Sequence, residues 1–129
     1  SNNPARDPVT ARYERLLDSL ESIVGLDDRT AAEDIRAKEI DILIDFTGHT
    51  GMNRLTLFAL KPAPIQAGWI GYPFTTGLSA IDYSIMDSVA VRPGEEGHFD
   101  EAIARLERTL VFGETPAIDL KVSPPPSRR

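Results

Sequence analysis

Two segments of this chain share one layout: a short apolar run that enters a small, polar, glycine-rich turn. The first runs through Ile42, Leu43 and Ile44 to Asp45 and then Phe46-Thr47-Gly48-His49-Thr50-Gly51. The second runs from Ile65 through Trp69 and Ile70 into Gly71-Tyr72-Pro73-Phe74-Thr75-Thr76-Gly77. Apolar runs this short suit strands covered on both faces of a parallel sheet. In an open α/β sheet, ligands bind where strands end in such turns. The pair therefore predicts half of a binding crevice on a Rossmann-like frame.

Size and charge narrow what such a crevice serves. A chain of 129 residues suits one compact domain but is short for a complete two-substrate enzyme. Its net charge of −6 argues against nucleic acid or an anionic membrane as partner. Cysteine is absent, which removes disulfide frameworks and Cys-based metal or nucleophile sites and fits a cytoplasmic setting. No apolar run approaches the roughly 20 residues that span a bilayer. The opening Ser-Asn-Asn-Pro-Ala-Arg-Asp-Pro lacks the apolar stretch of a signal peptide.

Around the two segments the chain reads as α/β. Leu16, Leu17, Leu20, Ile23 and Val24 share one face of a helix predicted from about Thr10 to Val24, ended by Gly25. Thr30-Ala-Ala-Glu33 reads as a capping box for a second helix to about Lys38. A central strand follows over residues 40–46. A short helix is expected from Met52 to Leu60, stopped by Pro62 and Pro64. Strands are expected over 65–70 and 81–86, a helix from Phe99 to Leu106, and a last strand over 108–112. Residues 1–9 read as disordered or vector-derived, 10–120 as a partial Rossmann-like lobe, and 121–129 as a Pro-rich linker.

The chemistry on offer is hydrogen bonding at glycine turns. Free amides and a helix start after Thr47-Gly48-His49 suit an anion or a sugar hydroxyl, and His49 can serve as general base or hydrogen-bond donor. The same residues equally describe a tight connection with a surface histidine. Asp45 either orients His49 or caps the turn. Tyr72 offers a flat wall, or simply packs on Trp69 or Phe74; Trp69 itself reads as core. Asp82 and Asp87 read as turn residues. His49 and His98 lie in different loops without metal-ligand spacing. No nucleophile elbow, P-loop or dinucleotide fingerprint is present.

Three blocks together resemble a known family: residues 40–55 (IDILIDFTGHTGMNRL), 58–78 (FALKPAPIQAGWIGYPFTTGL) and 81–87 (IDYSIMD). In order and spacing they resemble the catalytic region of the O-GlcNAc transferase/SPINDLY glycosyltransferases, most of all bacterial members fused to tetratricopeptide repeats. The resemblance covers about residues 13–129. It implies part of the N-terminal lobe of a two-lobed GT-B enzyme. Such enzymes move a sugar with inversion from a nucleotide donor, usually UDP-GlcNAc, to protein Ser or Thr hydroxyls, and need no metal or other cofactor. The implied partners are a protein acceptor, the nucleotide sugar and a C-terminal lobe that this chain lacks. Self-association of the partial lobe is also expected.

By the same resemblance His49, Thr50, Gly71, Tyr72, Pro73 and Thr75 would line the cleft facing donor sugar and acceptor, and none is assigned as catalytic base. Two residues depart from the family pattern. Phe74 stands where glycine is usual, which would crowd the turn and narrow the sugar pocket. Glu107 stands where the family reads Arg-Leu-Pro. The chain alone is expected to be inactive. The alternative is a non-catalytic Rossmann-like domain for protein interaction, which Phe74 motivates.

Overall fold

The computed structural model describes residues 1–2 and 7–108, so the expected linker and nearly all of the expected last strand lie outside the described residues. Within them, helices α1 (Pro8–Leu16), α2 (Asp28–Ala37) and α3 (Leu55–Ala59) accompany strands β1 (Ile42–Asp45), β2 (Ile65–Trp69), β3 (Tyr83–Met86) and β4 (Ala102–Arg105). A single 3-10 turn, Glu96–His98, lies between β3 and β4.

All four strands are parallel, in the order β1-β2-β3-β4. Their carboxyl ends therefore lie along one edge, where both glycine turns begin. Ile42 pairs with Ile65 and Asp45 with Gly68, while Trp69 pairs with Ile85. β1 is a border strand among the described residues, with Ile42 56% exposed, and not the doubly covered central strand its apolar run suggests.

Burial concentrates under α2 and α3. Ala31 and Ala32 are fully buried and pack with Leu55, Leu57, Phe58 and Ile81, flanked by Ile23, Ile35, Leu43 and Leu78. Alanines on the inner face let α2 approach α3 closely. Gln66, also fully buried, donates its side-chain amide to the Phe58 carbonyl at 2.9 Å and the Ala80 carbonyl at 2.8 Å. This one side chain ties the end of α3 to β2 and to the approach of β3. Asp82 adds a brace: it accepts from the Gln66 amide at 2.7 Å and from the Lys61 ammonium. The Lys61 and Gln66 bonds together hold its carboxyl below the usual carboxylate range. Asp87 does cap a turn, accepting from Val89 N and Ala90 N, whereas Asp82 links separate elements.

Three local readings are corrected. α1 stops at Leu16, because Leu17 is extended (φ −100°, ψ 146°). The helix buries no residue, so nothing repays its continuation, and Ile23 reaches the core from irregular chain instead. α2 begins three residues early: Asp27 caps it, accepting from Thr30 N at 2.9 Å. Thr30 is thus inside the helix and not its cap. Residues 102–105 form β4 in place of a helix. The amide of Ala102 donates to Asp82 O and that of Leu106 to Met86 O; pairing with β3 overrides a spacing that suits either structure.

Candidate functional site: two interlocked turns at the carboxyl edge

The turn after β1 is built on Asp45, which is 5% exposed. One carboxylate oxygen accepts from Thr47 N (3.0 Å) and Thr47 Oγ1 (2.6 Å), and the other from Gly48 N (2.7 Å). Asp45 therefore caps the turn and does not orient His49. Gly48 sits at φ +50°, and Thr50 closes the loop by donating N and Oγ1 to Thr47 O at 3.1 and 2.8 Å.

The turn after β2 opens with an unusual backbone. Ile70, a β-branched residue, has φ +55°, a conformation that costs of order 1–3 kcal/mol. Gly71 N donates to Trp69 O at 2.7 Å, closing a three-residue turn. Fit against the first turn explains why this strain is tolerated. A Cβ on Gly71 would lie 1.6 Å from Phe46 O, and one on Gly48 would lie 2.4 Å from the Cβ of Tyr72. Each turn thus carries a glycine where the other presses in.

Side chains over this junction form a small aromatic wall. Tyr72 meets His49 edge-on at 5.4 Å and Phe74 edge-on at 5.7 Å between ring centroids. His49 is exposed, and its Nε2 lies 2.8 Å from Thr76 O. Trp69 is half-buried against Phe46 at 5.8 Å, its indole Nε1 buried without a partner. Phe74 is 63% exposed, leans on Tyr72 and contributes to the lining of the small cavity at this junction.

Glu101, immediately before β4, anchors the far side. It is 4% exposed and accepts from Thr76 N at 2.8 Å, from Thr75 Oγ1 at 2.8 Å and from Thr76 Oγ1. Burial pushes its carboxyl up, but the hydrogen bonds from Thr76 and Thr75 outweigh this and hold it below the usual range. Asp45, Thr76, Ser84 and Glu101 converge with Trp69 and Tyr72 on a small cavity beneath the wall.

Of the residues singled out in the sequence, the structure brings His49, Tyr72 and the Thr75–Thr76 segment together. The hydroxyls of Thr50 and Thr75 are already engaged within the turns; Thr75 Oγ1 also accepts from Gly77 N at 3.1 Å and Asp100 N at 3.2 Å. Gly71 is a packing contact, and Pro73 is exposed beside Tyr72. Sequence reasoning missed Glu101 altogether, because a helix was expected there. Among the described residues no cluster of three or more His, Asp or Glu could hold a metal ion. No described helix is long and apolar enough to cross a membrane.

The fold is that of a partial N-terminal lobe of a GT-B glycosyltransferase, a Rossmann-like parallel sheet with flanking helices. The family model for glycosyl transferase family 41 matches residues 5–119, and the chain belongs to that family. It is 45% identical over 95 residues to a probable UDP-N-acetylglucosamine–peptide N-acetylglucosaminyltransferase SPINDLY of Hordeum vulgare, covering 73% of this chain and 10% of that protein. A UDP-N-acetylglucosamine–peptide N-acetylglucosaminyltransferase of Caenorhabditis elegans is 42% identical over 84 residues, 65% of this chain and 7% of that protein. A solved variant of Thermobaculum terrenum O-GlcNAc transferase superposes with a TM-score of 0.81 at 38% identity, covering 84% of this chain and 21% of that one. The chain thus spans about a tenth of the length of the curated relatives it matches.

Proposed function

We propose that the protein to which this chain belongs transfers N-acetylglucosamine from UDP-N-acetylglucosamine to Ser or Thr hydroxyls of protein acceptors, and that these two turns form one wall of the transfer cleft. The acceptor oxygen bonds to the anomeric carbon from the face opposite UDP, the bond to UDP breaks, and the sugar is inverted. The observation that carries this reading is the interlock of Gly48 with Tyr72 and Gly71 with Phe46 O. It makes a preformed edge of amides, hydroxyls and an aromatic wall at the position where α/β sheets take ligands. The names of the relatives supply donor and acceptor.

On this reading His49, Thr50, Gly71, Tyr72, Pro73 and Thr75 face donor sugar and acceptor, none of them is assigned as the base that takes the acceptor's proton, and no metal takes part. We place the reaction in the cytoplasm of a bacterium, in a protein that also carries tetratricopeptide repeats. Full-length protein should transfer sugar from UDP-GlcNAc in the presence of chelator, and the isolated chain should not. Failure with UDP-GlcNAc, UDP-glucose and GDP-fucose alike would defeat the proposal.

Phe74, exposed beside Tyr72 at the mouth of the cleft, favours a second reading as a non-catalytic interaction domain. Turnover by native full-length protein excludes it. A Phe74→Gly variant that gains sugar binding absent from the native protein supports it. In either reading the isolated chain exposes Ile42, Phe46, Met52 and Ile65, beside an apolar groove of about 510 Å³ under β1. It should therefore self-associate, and gel filtration showing a strict monomer at high concentration contradicts this.

A further inference from the structure

A carbonyl only accepts, so the 2.8 Å contact between His49 Nε2 and Thr76 O requires the proton on Nε2. Nδ1 of the neutral imidazole is then a lone-pair acceptor. Of the two parts expected of His49, general base or hydrogen-bond donor, this leaves the accepting one. With Nε2–H committed to the protein, the exposed ring meets a ligand as an acceptor, suited to a hydroxyl and not to an anion.

The carbonyl is itself fixed from behind. Thr76 donates both its amide and its hydroxyl to Glu101, and Thr75 donates its hydroxyl to the same carboxylate. Glu101 comes from the start of β4, 25 positions away from Thr76, and is nearly inaccessible. Thr76 O belongs to the Thr76–Gly77 peptide, whose Gly77 amide donates at 3.1 Å to the Thr75 hydroxyl that Glu101 holds. Turning that peptide would break this link, and releasing the three donors would strand a buried charge without partners.

We propose that Glu101 is a positioning residue: through Thr75 and Thr76 it holds the carbonyl that keeps His49 protonated on Nε2, leaving Nδ1 to accept from a ligand hydroxyl. The relay from Glu101 to His49 stands on geometry. Only the role toward a hydroxyl rests on the transfer reading.

Nitrogen-15 NMR of the histidine side chains tests the relay without any activity. The native chain should show a slowly exchanging His49 Nε2–H and an unprotonated Nδ1 at a pH where the ring is neutral. Glu101→Ala should speed exchange of that proton about tenfold. Glu101→Gln should recover part of the protection: its carbonyl oxygen still accepts from Thr76 N and Oγ1, but its amide faces a Thr75 hydroxyl oxygen whose two lone pairs are taken by Gly77 N and Asp100 N. If Glu101→Ala does not fold, Thr75→Val carries the test by removing, at constant shape, the hydroxyl that links Glu101 to the Gly77 amide, with exchange faster at least about twofold. An unchanged His49 signal in the folded variants overturns the proposal, whatever happens to their stability. So does a native ring protonated on Nδ1 alone.

In the full-length protein Glu101→Ala should lower kcat/KM about tenfold, and Glu101→Gln should restore part of it. Loss of thermal stability with kcat and KM unchanged overturns the ligand role. A full-length protein that turns over no nucleotide sugar would defeat the transfer reading while leaving the NMR outcome to decide the relay.

Discussion

The turn after β1 is closed by bonds between residues two or three positions apart, from Asp45 to Thr47 and Gly48 and from Thr50 to Thr47. The turn after β2 is closed by Glu101, 25 or 26 positions downstream. Both make the same kind of object, a glycine-bearing loop whose polar groups are satisfied at a sheet edge. The first can take shape once β1 ends; the second needs β4 in place beside β3. The difference teaches that one turn of this sheet edge is local structure and the other is a product of the completed sheet.

The sharpest way to break that contrast is to attack the contact both turns share. Gly71→Ala would drive a methyl to 1.6 Å from a backbone carbonyl, which no side-chain rotation relieves. We expect a loss of about 3 kcal/mol or more, seen as a lower urea midpoint. Gly48→Ala combines a positive φ with a 2.4 Å approach to Tyr72 and should cost a similar amount. If either variant is as stable as the native chain, the turns are not interlocked.

Acid tests the long-range closure of the second turn next. The folded carboxyl of Glu101 is held below its ordinary value, so its ionised form favours the fold. That contribution is complete above the unfolded value of about 4.3, and is lost as pH falls through the lower folded value. Stability of the native chain should therefore decline below about pH 4, with loss of protection at the Thr76 amide. Glu101→Gln should cost about 1–2 kcal/mol at neutral pH and show a shallower acid decline. An acid limb as steep as the native one would assign the effect to other carboxylates, Asp82 among them, whose carboxyl is also held low.

The same division decides what could be read from the sequence. β1, β2 and β3 were legible because short apolar runs between turn residues carry their own signal. The Asp45 cap was legible as one of two readings, since an aspartate at a strand end beside Thr-Gly has few other uses. β4 was not. Phe99, Ala102, Ile103 and Leu106 lie at helical spacing, and only the bonds from Ala102 N to Asp82 O and from Leu106 N to Met86 O make the segment a strand. Misreading β4 hid Glu101, because an acidic residue on a supposed helix looks solvated. α1 failed in the opposite direction: Leu20 and Ile23 continue its apolar face, but the helix has no packed face to extend. His49 and Tyr72 could be nominated from their turns, yet the ring contact and the Thr76 carbonyl that define them are tertiary facts.

Gly25 isolates the conformational part of the glycine effects, and its change should be the smallest. It has φ +82°, with nothing within 4 Å of an added Cβ, so Gly25→Ala tests backbone preference without a clash. An alanine in a left-handed conformation costs roughly 1–2 kcal/mol. Restricting the unfolded chain returns about 0.4–1 kcal/mol. The net should be a destabilisation of about 1 kcal/mol or less, well under that of Gly71→Ala. Because φ at Gly71 is not positive, the gap between the two variants reads almost entirely the steric pressure between the turns. Equal losses at Gly25 and Gly71 would mean that both glycines serve backbone freedom alone, and the two turns would then be neighbours with no fit between them.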